Sequence, residues 1–361
     1  MEASLFRSPF DSTLSKRLNR SFNKILVVQT AFLGDVILTL PLIQRIKKNF
    51  PAASIDVVVV PAAANLLENH PAVSAIILYD KRGTDKGLNG FVRLRRLLAA
   101  NRYDLAIVPH RSLRSALLTL LTGVPLRVGF DRSSGSHFYN HIVQYRADHH
   151  EIERNLSLLE PLGVAASERE MPSIYPSAAD GVAIDRLFNE CGISGLKGVV
   201  AIAPGTIWNT KRWHKERFAE VAKTMSGQGY PVVLIGSKED CELCEEIRQL
   251  SGETNVVNSA GVLTLRQSAE LIRRSRVLLS NDSAPMHIAV AVRTPVIAIF
   301  GATVPEFGFG PYGERDVVVQ TTPLACRPCS IHGSKECPIK TFDCMNNITA
   351  EKVIQSMGKF L

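Results

Sequence analysis

The sequence contains no apolar run long enough to cross a membrane. Its best candidate, residues 57–67, is interrupted by Pro61 and Asn65. The first 24 residues are polar and basic, and they lack the apolar core of a signal peptide. These absences predict a cytoplasmic protein whose association with a membrane surface is peripheral.

Signatures of disulfide scaffolds and of metal-bound phosphates are also missing. The chain has 7 cysteines in 361 residues, which does not fit a secreted disulfide scaffold. It has neither a P-loop signature nor an Asp-x-Asp motif. We therefore predict no metal and no cofactor at its catalytic site.

The residues that are abundant are apolar or basic. Apolar residues make up 45% of the chain and charged residues 21%, which suffices for the cores of two α/β domains. The formal net charge of +8 favours anionic partners, such as nucleic acid, a phosphorylated glycan or an anionic membrane surface.

Short apolar strands alternate with helices in both halves of the chain. This pattern predicts an α/β fold with two Rossmann-like, doubly wound domains and ligands at the carboxyl ends of the strands, in a cleft between the domains. We place a basic tail at residues 1–23, the first domain at 24–170, the second at 171–345 and a C-terminal helix at 346–361.

Some local features of this pattern are less regular. The helix that runs towards Asn49 is expected to start near Pro41, with Thr39 as a possible cap. Residues 131–150 form a polar, histidine-bearing segment without a predicted element. Residues 165–179 are typical of an interdomain linker.

The loop from Thr30 to Asp35 directly follows the first strand. Asp35 is therefore expected at the carboxyl edge of the first sheet. The apolar residues Val36, Ile37 and Leu38 come next, and such a setting raises the pKa of a carboxyl group and suits it to accept a proton. Helix capping after a turn glycine is the alternative role.

In the second half, residues 204–213 follow a strand in the same way. Gly205 permits close backbone approach, Thr206 offers a hydroxyl, and Lys211 and Arg212 bring positive charge. This combination suits a diphosphate. A basic surface loop is the alternative.

Residues 276–301 have the pattern strand, turn, short helix, strand. Asn281, Asp282 and Ser283 are typical helix N-cap residues, and Pro285 suits a first helical turn. The N–H groups and positive dipole end of such a helix attract phosphate. An ordinary, well-capped βαβ turn is the alternative.

Three motifs and their order along the chain resemble those of the heptosyltransferases of bacterial lipopolysaccharide core assembly, glycosyltransferase family 9. The motifs are residues 34–41, 204–213 and 280–287, and the resemblance extends from Lys24 to the C-terminus. It implies a GT-B architecture with the acceptor on the N-terminal domain and ADP-heptose on the C-terminal one. It also implies metal-independent inversion at the anomeric carbon.

The resemblance further implies roles for single residues. Asp35 would be the general base that deprotonates the acceptor hydroxyl, and Lys211 would stabilise the departing ADP. Arg111 and Arg114 are our candidates for acceptor binding. The predicted donor-binding residues are Gly205, Thr206, Lys211, Glu239, Asp282, Ser283, Ala284 and His287. The family often has glycine at the position of Ala284, where a methyl group narrows the space.

Cysteines recur in the last part of the chain with the spacing Cys-x2-Cys-x7-Cys-x6-Cys. Four thiols with this spacing suit zinc, but we favour reduced structural thiols. The four residues are Cys326, Cys329, Cys337 and Cys344. A second pair, Cys241 and Cys244, lies on a predicted helix among acidic residues, where we expect no metal.

Several other features carry weaker signals. We expect His137, His149 and His150 to face solvent or acceptor phosphate. The glycine-rich residues 307–313 form either a flap over the donor or a plain loop. The basic residues 93–96 lie on a helix face that suits solvent, acceptor phosphate or anionic lipid.

The expected partners are ADP-heptose, a lipid-linked core oligosaccharide and the anionic inner-membrane surface. Three alternatives remain: transfer with another nucleotide sugar or surface glycan, a GT-B-type sugar-nucleotide epimerase, and a nucleic-acid-binding module. The last is disfavoured because the cationic residues do not interleave with aromatic ones. We therefore expect no nucleic-acid partner.

Overall fold

The computed structural model describes residues 21–166, 168–193 and 198–361, so most of the predicted basic tail lies outside the described residues. The described chain forms two compact units. Unit 1 contains the residues up to Ala64, Pro71–Arg146 and Glu151–Glu170, and unit 2 contains Asn65–His70, Ala147–His150 and Met171–Leu361.

The first sheet has six parallel strands in the order β3-β2-β1-β4-β5-β6. Its elements and the helices between them are β1 (Lys24–Val28), α1 (Leu33–Asn49), β2 (Ser54–Val59), α2 (Pro61–Leu67), β3 (Ala75–Leu78), α3 (Gly87–Ala100), β4 (Leu105–Val108), α4 (Leu113–Leu121), β5 (Leu126–Phe130), β6 (His141–Val143) and α5 (Glu151–Ser157).

The second sheet also has six parallel strands, in the order β12-β11-β10-β7-β8-β9. Its elements and helices are α6 (Ala178–Glu190), β7 (Val199–Ala203), α7 (Lys215–Gly227), β8 (Val232–Leu234), α8 (Cys241–Ser251), β9 (Val256–Asn258), α9 (Leu265–Arg274), β10 (Ser275–Asn281), α10 (Ala284–Ala291), β11 (Val296–Phe300), β12 (Val317–Gln320), α11 (Asp343–Asn346) and α12 (Ala350–Met357).

The central strands are buried along their whole length because helices cover both faces of each sheet. All residues of β4, β7 and β11 are buried, which explains why these strands are continuous apolar runs rather than alternating ones. The predicted α/β fold class with two doubly wound parallel sheets is confirmed. In such sheets the loops that follow the strands collect at one edge.

The start of α1 differs from the prediction. The helix begins at Leu33 rather than near Pro41, and Pro41 lies inside it. The Asp35 carboxylate accepts a hydrogen bond from the Phe32 N–H at 3.1 Å, which stabilises the earlier start. Thr39 is not a cap, since its hydroxyl donates to the carbonyl of Asp35 at 2.8 Å within the helix.

Two regions contain elements that were not predicted. The polar residues 131–150 include the short strand β6, which pairs with β5. Helix α6 starts directly after Ser177, whose hydroxyl accepts from the N–H of Asp180 while the Asp180 carboxylate accepts from the N–H of Ser177. The predicted linker therefore ends in a capping box.

Among the described residues, no helix combines the length and the apolar character needed to cross a bilayer.

We predict that Phe218→Ala lowers the free energy of unfolding by about 3–5 kcal/mol. Phe218 is fully buried in the core of unit 2 and packs edge-to-face on Trp213 at 4.9 Å. Urea unfolding measures the change. The matched control Leu250→Ala, at a leucine that is 53% exposed, should change it by less than about 0.5 kcal/mol. Equal effects of both substitutions would contradict this packing.

Candidate active site

Asp35 lies in the first turn of α1, just after the carboxyl end of β1. Burial raises the pKa of its carboxyl group from 3.8 to about 6, and the nearby negative charge of Glu151 adds to the rise. The N–H of Phe32 and the positive charge of Arg111 oppose it. The carboxyl group therefore caps the helix and also titrates close to neutral pH, so the two predicted roles are compatible.

A buried polar network fixes Glu151 at the start of α5. Its carboxylate accepts hydrogen bonds from Arg154 at 2.9 Å and from the Tyr145 hydroxyl at 3.1 Å. Helix α5 is tied to α1 because Asn155 donates to the carbonyl of Leu38 at 3.1 Å. The negative charge that acts on Asp35 is therefore held by several contacts.

Arg111 follows β4 and stacks on the ring of Tyr145, with its guanidinium carbon 4.1 Å from the ring centroid. Its side chain is exposed. Arg154 lies 4.8 Å from the same centroid. Arg111, which we predict to bind the acceptor, is close enough to Asp35 for its positive charge to lower the pKa of that carboxyl group.

His110 joins the loop after β1 to the start of α4. Its Nδ1 lies 3.0 Å from the hydroxyl of Thr30 and 2.9 Å from that of Ser115. Burial, with Lys81 and Arg111 nearby, lowers the pKa of His110 to about 4, so its ring is neutral at pH 7. Lys81 donates to the Thr30 carbonyl at 2.6 Å. The loop that leads to Asp35 is therefore held by residues that follow β3 and β4.

Three cations collect beside this loop. Burial and the guanidinium groups of Arg82 and Arg114 lower the pKa of Lys81. Arg114 donates to the Tyr79 hydroxyl at 3.3 Å. Within the described part of the chain, no carboxylate pairs with Lys81, Arg82 or Arg114. This edge of unit 1 therefore offers uncompensated positive charge to an anion.

In unit 2, the structure brings Lys211 and Asp282 together. Their side chains form an ion pair of 2.6 Å, and the Thr303 hydroxyl donates to the same Asp282 oxygen at 2.6 Å. Asp282 is buried. Thr303 follows β11 at the same edge of the sheet, and sequence analysis missed it because its partner is known only from the strand order.

Asn281 does not cap α10 as predicted, because it is the last residue of β10. Its side chain accepts from the Trp213 N–H at 3.1 Å and donates to the Pro204 carbonyl at 2.8 Å. Ser283 occupies the N-cap position without a side-chain cap bond. Asn281 therefore joins the ends of residues 204–213 to β10.

The remaining predicted donor residues, which follow β7 and β8, make other contacts. Gly205 lies against the carboxylate of Asp240, which occupies the space that a Cβ would need. The Thr206 carbonyl accepts from Arg212 at 2.9 Å. Glu239 is exposed, and its own backbone N–H and the Ser237 hydroxyl lower the pKa of its carboxyl group.

His287 is buried and lies on α10, which starts at Ala284. Burial, with His150 and Lys211 nearby, lowers its pKa to about 3, so the ring is neutral. Of the two settings predicted for His150, solvent or acceptor phosphate, the first is wrong. It stacks on Tyr312 at 4.5 Å between ring centroids, and its Nε2 lies 2.9 Å from the Gly310 carbonyl oxygen, so it packs against residues 307–313.

The seven cysteines are free thiols, and Cys344 is buried. Among the described residues, no three His, Cys, Asp or Glu side chains form a group suited to a metal ion. The cysteine-bearing segment packs on the Lys211 loop: Ser334 N donates to the Thr210 hydroxyl at 2.8 Å, and the Cβ position of Gly333 lies 3.0 Å from the Lys211 side chain.

The family model, the similar sequences and the similar structures all point to one family of enzymes. Residues 91–340 match Glycosyltransferase family 9 (heptosyltransferase). Lipopolysaccharide heptosyltransferase 3 of Escherichia coli is 32% identical over 75% of this chain and 82% of its own length. A glycosyl transferase family 9 structure from Veillonella parvula is 25% identical, with a TM-score of 0.81 over 94% of this chain and 97% of that one.

The structure of Escherichia coli ADP-heptose lps heptosyltransferase II is also similar. It is 25% identical and has a TM-score of 0.77 over 93% of this chain and 98% of its own. The chain has two doubly wound parallel sheets, and it is similar to these heptosyltransferase structures over most of its length. Its fold class is therefore GT-B, as the sequence resemblance implied.

We predict that Glu151→Gln lowers the pKa of Asp35 from about 6 towards its ordinary value, because a nearby negative charge that disfavours the carboxylate is removed. Carboxyl-carbon NMR, with Asp35→Asn to assign the signal, measures the shift. The control Glu160→Gln removes a half-exposed carboxylate that pairs with Arg146 and should leave the Asp35 pKa unchanged. An unchanged pKa in Glu151→Gln would show that Glu151 has no such effect.

Proposed function

Because the chain belongs to glycosyltransferase family 9 (heptosyltransferase), we propose that it transfers heptose from ADP-heptose to the inner core of lipopolysaccharide, with inversion and without a metal ion. The observation that carries this proposal is the partly buried Asp35, whose pKa of about 6 suits a general base at neutral pH. Its similarity to lipopolysaccharide heptosyltransferases, one of them described as ADP-heptose-dependent, supports the kinds of donor and acceptor.

In this mechanism Asp35 accepts the proton of the acceptor hydroxyl. Arg111 and Arg114 bind the acceptor, and the unpaired charges of Lys81 and Arg82 make the same edge of unit 1 favourable for an anionic saccharide. Neutral His110 does not compete for the proton, because its own pKa is about 4. Its role is to hold the loop that leads to Asp35.

The donor binds to unit 2 in this proposal. Lys211 and the N–H groups of Ser283 and Ala284, at the positive end of α10, contact the diphosphate. Asp282 fixes the Lys211 ammonium group, and Thr206 offers its hydroxyl to the phosphates. Glu239, exposed after β8, binds the ribose, while Gly205 and His287 shape the surroundings.

The reaction needs no further reactant. The acceptor oxygen forms a bond to the anomeric carbon while the bond from that carbon to the β-phosphate oxygen breaks. The electron pair of the broken bond leaves with ADP, and the hydroxyl proton moves to Asp35. Attack from the face opposite the diphosphate inverts the configuration at the anomeric carbon.

We also propose that the enzyme works in the cytoplasm on the inner-membrane surface. A lipid-linked acceptor requires access to that surface. The exposed arginines of α3, among them Arg95 and Arg96, supply positive charge that attracts anionic lipid headgroups.

We expect ADP release from ADP-heptose to depend on a heptose-deficient lipopolysaccharide acceptor. Asp35→Asn should lower this release by about 100-fold or more, because the base is lost, while ADP binding measured by calorimetry stays nearly unchanged. The control Asp148→Asn alters an exposed carboxylate and should keep full activity.

Two results would contradict the proposal. ADP-heptose turnover that does not need an acceptor would favour an epimerase. Equal loss of transfer and of ADP binding in a folded Asp35→Asn protein would make Asp35 a structural residue.

A further inference from the structure

The predicted donor residues supply little net charge. Lys211 and Asp282 are paired at 2.6 Å, so their formal charges cancel. His287 is neutral, with a pKa of about 3. A departing diphosphate gains negative charge as the glycosidic bond breaks, and the reaction is accelerated by cations already in place. Positive charge in addition to this pair and to the start of α10 would therefore favour the proposed reaction.

Arg212, next to Lys211, carries a positive charge that no carboxylate of the described residues neutralises. Its Nη2 donates to the Thr206 carbonyl at 2.9 Å, and this is the one hydrogen bond that its side chain makes to the described residues. Its Nε is buried and has no partner there. No carboxylate of the described chain pairs with it. A partly buried guanidinium group with an unsatisfied N–H is costly until an acceptor binds to it, and an anion is the acceptor that its charge favours.

Other partly buried arginines of unit 2 have more partners. Arg217 donates to three backbone carbonyls at the end of α11 and just beyond it. Arg327 donates to the carbonyls of Thr321 and Thr303 and to the Gln320 side chain, although its Nε, like that of Arg212, is buried without a partner among the described residues. Arg266 pairs with carboxylates on two other segments. By comparison, Arg212 is held by a single contact and keeps donors available.

We propose that Arg212 is a catalytic residue that binds the diphosphate of the sugar-nucleotide donor and carries the net positive charge that the Lys211–Asp282 pair lacks. This inference rests on the proposed function. The bond of Arg212 to the Thr206 carbonyl directs the guanidinium group towards the loop that also carries the Thr206 hydroxyl. Guanidinium groups bind phosphate oxygens through paired N–H donors, which lysine cannot do.

The test measures ADP and adenosine binding by calorimetry at low and high salt. We compare the wild type with Arg212→Gln, Arg212→Lys and the control Arg186→Gln, which removes the same charge from an exposed position on α6. Arg212→Gln should weaken ADP binding about tenfold or more and reduce its dependence on salt. Adenosine binding should not change, because adenosine has no phosphates.

Arg212→Lys separates charge from geometry. It should weaken ADP binding less than Arg212→Gln does, and it should keep the salt dependence because the charge remains. Arg186→Gln should bind ADP as the wild type does. Acceptor-dependent turnover should fall further than ADP affinity in Arg212→Gln, because the negative charge on the diphosphate is largest in the transition state.

Three results would overturn the inference. Wild-type affinity for ADP in Arg212→Gln would show that the residue does not bind the diphosphate. Weaker ADP binding with an unchanged salt dependence, together with a lower melting temperature, would show that Arg212 only fixes the loop. A wild-type protein that does not bind ADP at all would reject the proposed donor, and with it this inference; this result differs from the first two, in which the wild type binds ADP.

Discussion

In both sheets all neighbouring strands are parallel, and this constraint decides where polar side chains gather. Helices cover both faces of a parallel sheet, so polar groups are tolerated where the strands end. In unit 1, the segments after β1, β3 and β4 bring Asp35, Lys81 and Arg111 to one edge. In unit 2, Thr206 and Asp282 follow β7 and β10 in the same way. The polar side chains of each unit therefore gather at the carboxyl edge of that unit's own sheet.

The two edges differ in how their charges are balanced. In unit 1, burial and Glu151 disfavour the charged form of Asp35, while nearby cations stay without carboxylate partners. That arrangement suits a base beside an anionic substrate. In unit 2, Lys211 is neutralised by Asp282. The positive charge available to a diphosphate therefore comes from groups around the ion pair, namely the start of α10 and, in our proposal, Arg212.

The sequence predicted the fold well because buried parallel strands are short apolar runs between helices, and this signal is local. It also singled out Asp35, Lys211 and Asp282, which directly follow strands or lie in loops with typical phosphate chemistry. It did not predict the Lys211–Asp282 pair, the Thr303 contact or the effect of Glu151 on Asp35, because these depend on which strands lie side by side. The predicted start of α1 is wrong, because a proline is typical of a first helical turn whereas Pro41 lies inside the helix.

The most direct test of the central claim, that Asp35 is the catalytic base, is the pH dependence of kcat/KM for acceptor-dependent transfer. The base works in its deprotonated form, and its pKa is raised to about 6. We therefore expect kcat/KM to rise with pH through about 6 and to level off above it. A value of kcat/KM that stays constant down to the ordinary pKa range of aspartate, or the same profile in Asp35→Asn, would show that Asp35 is not the base.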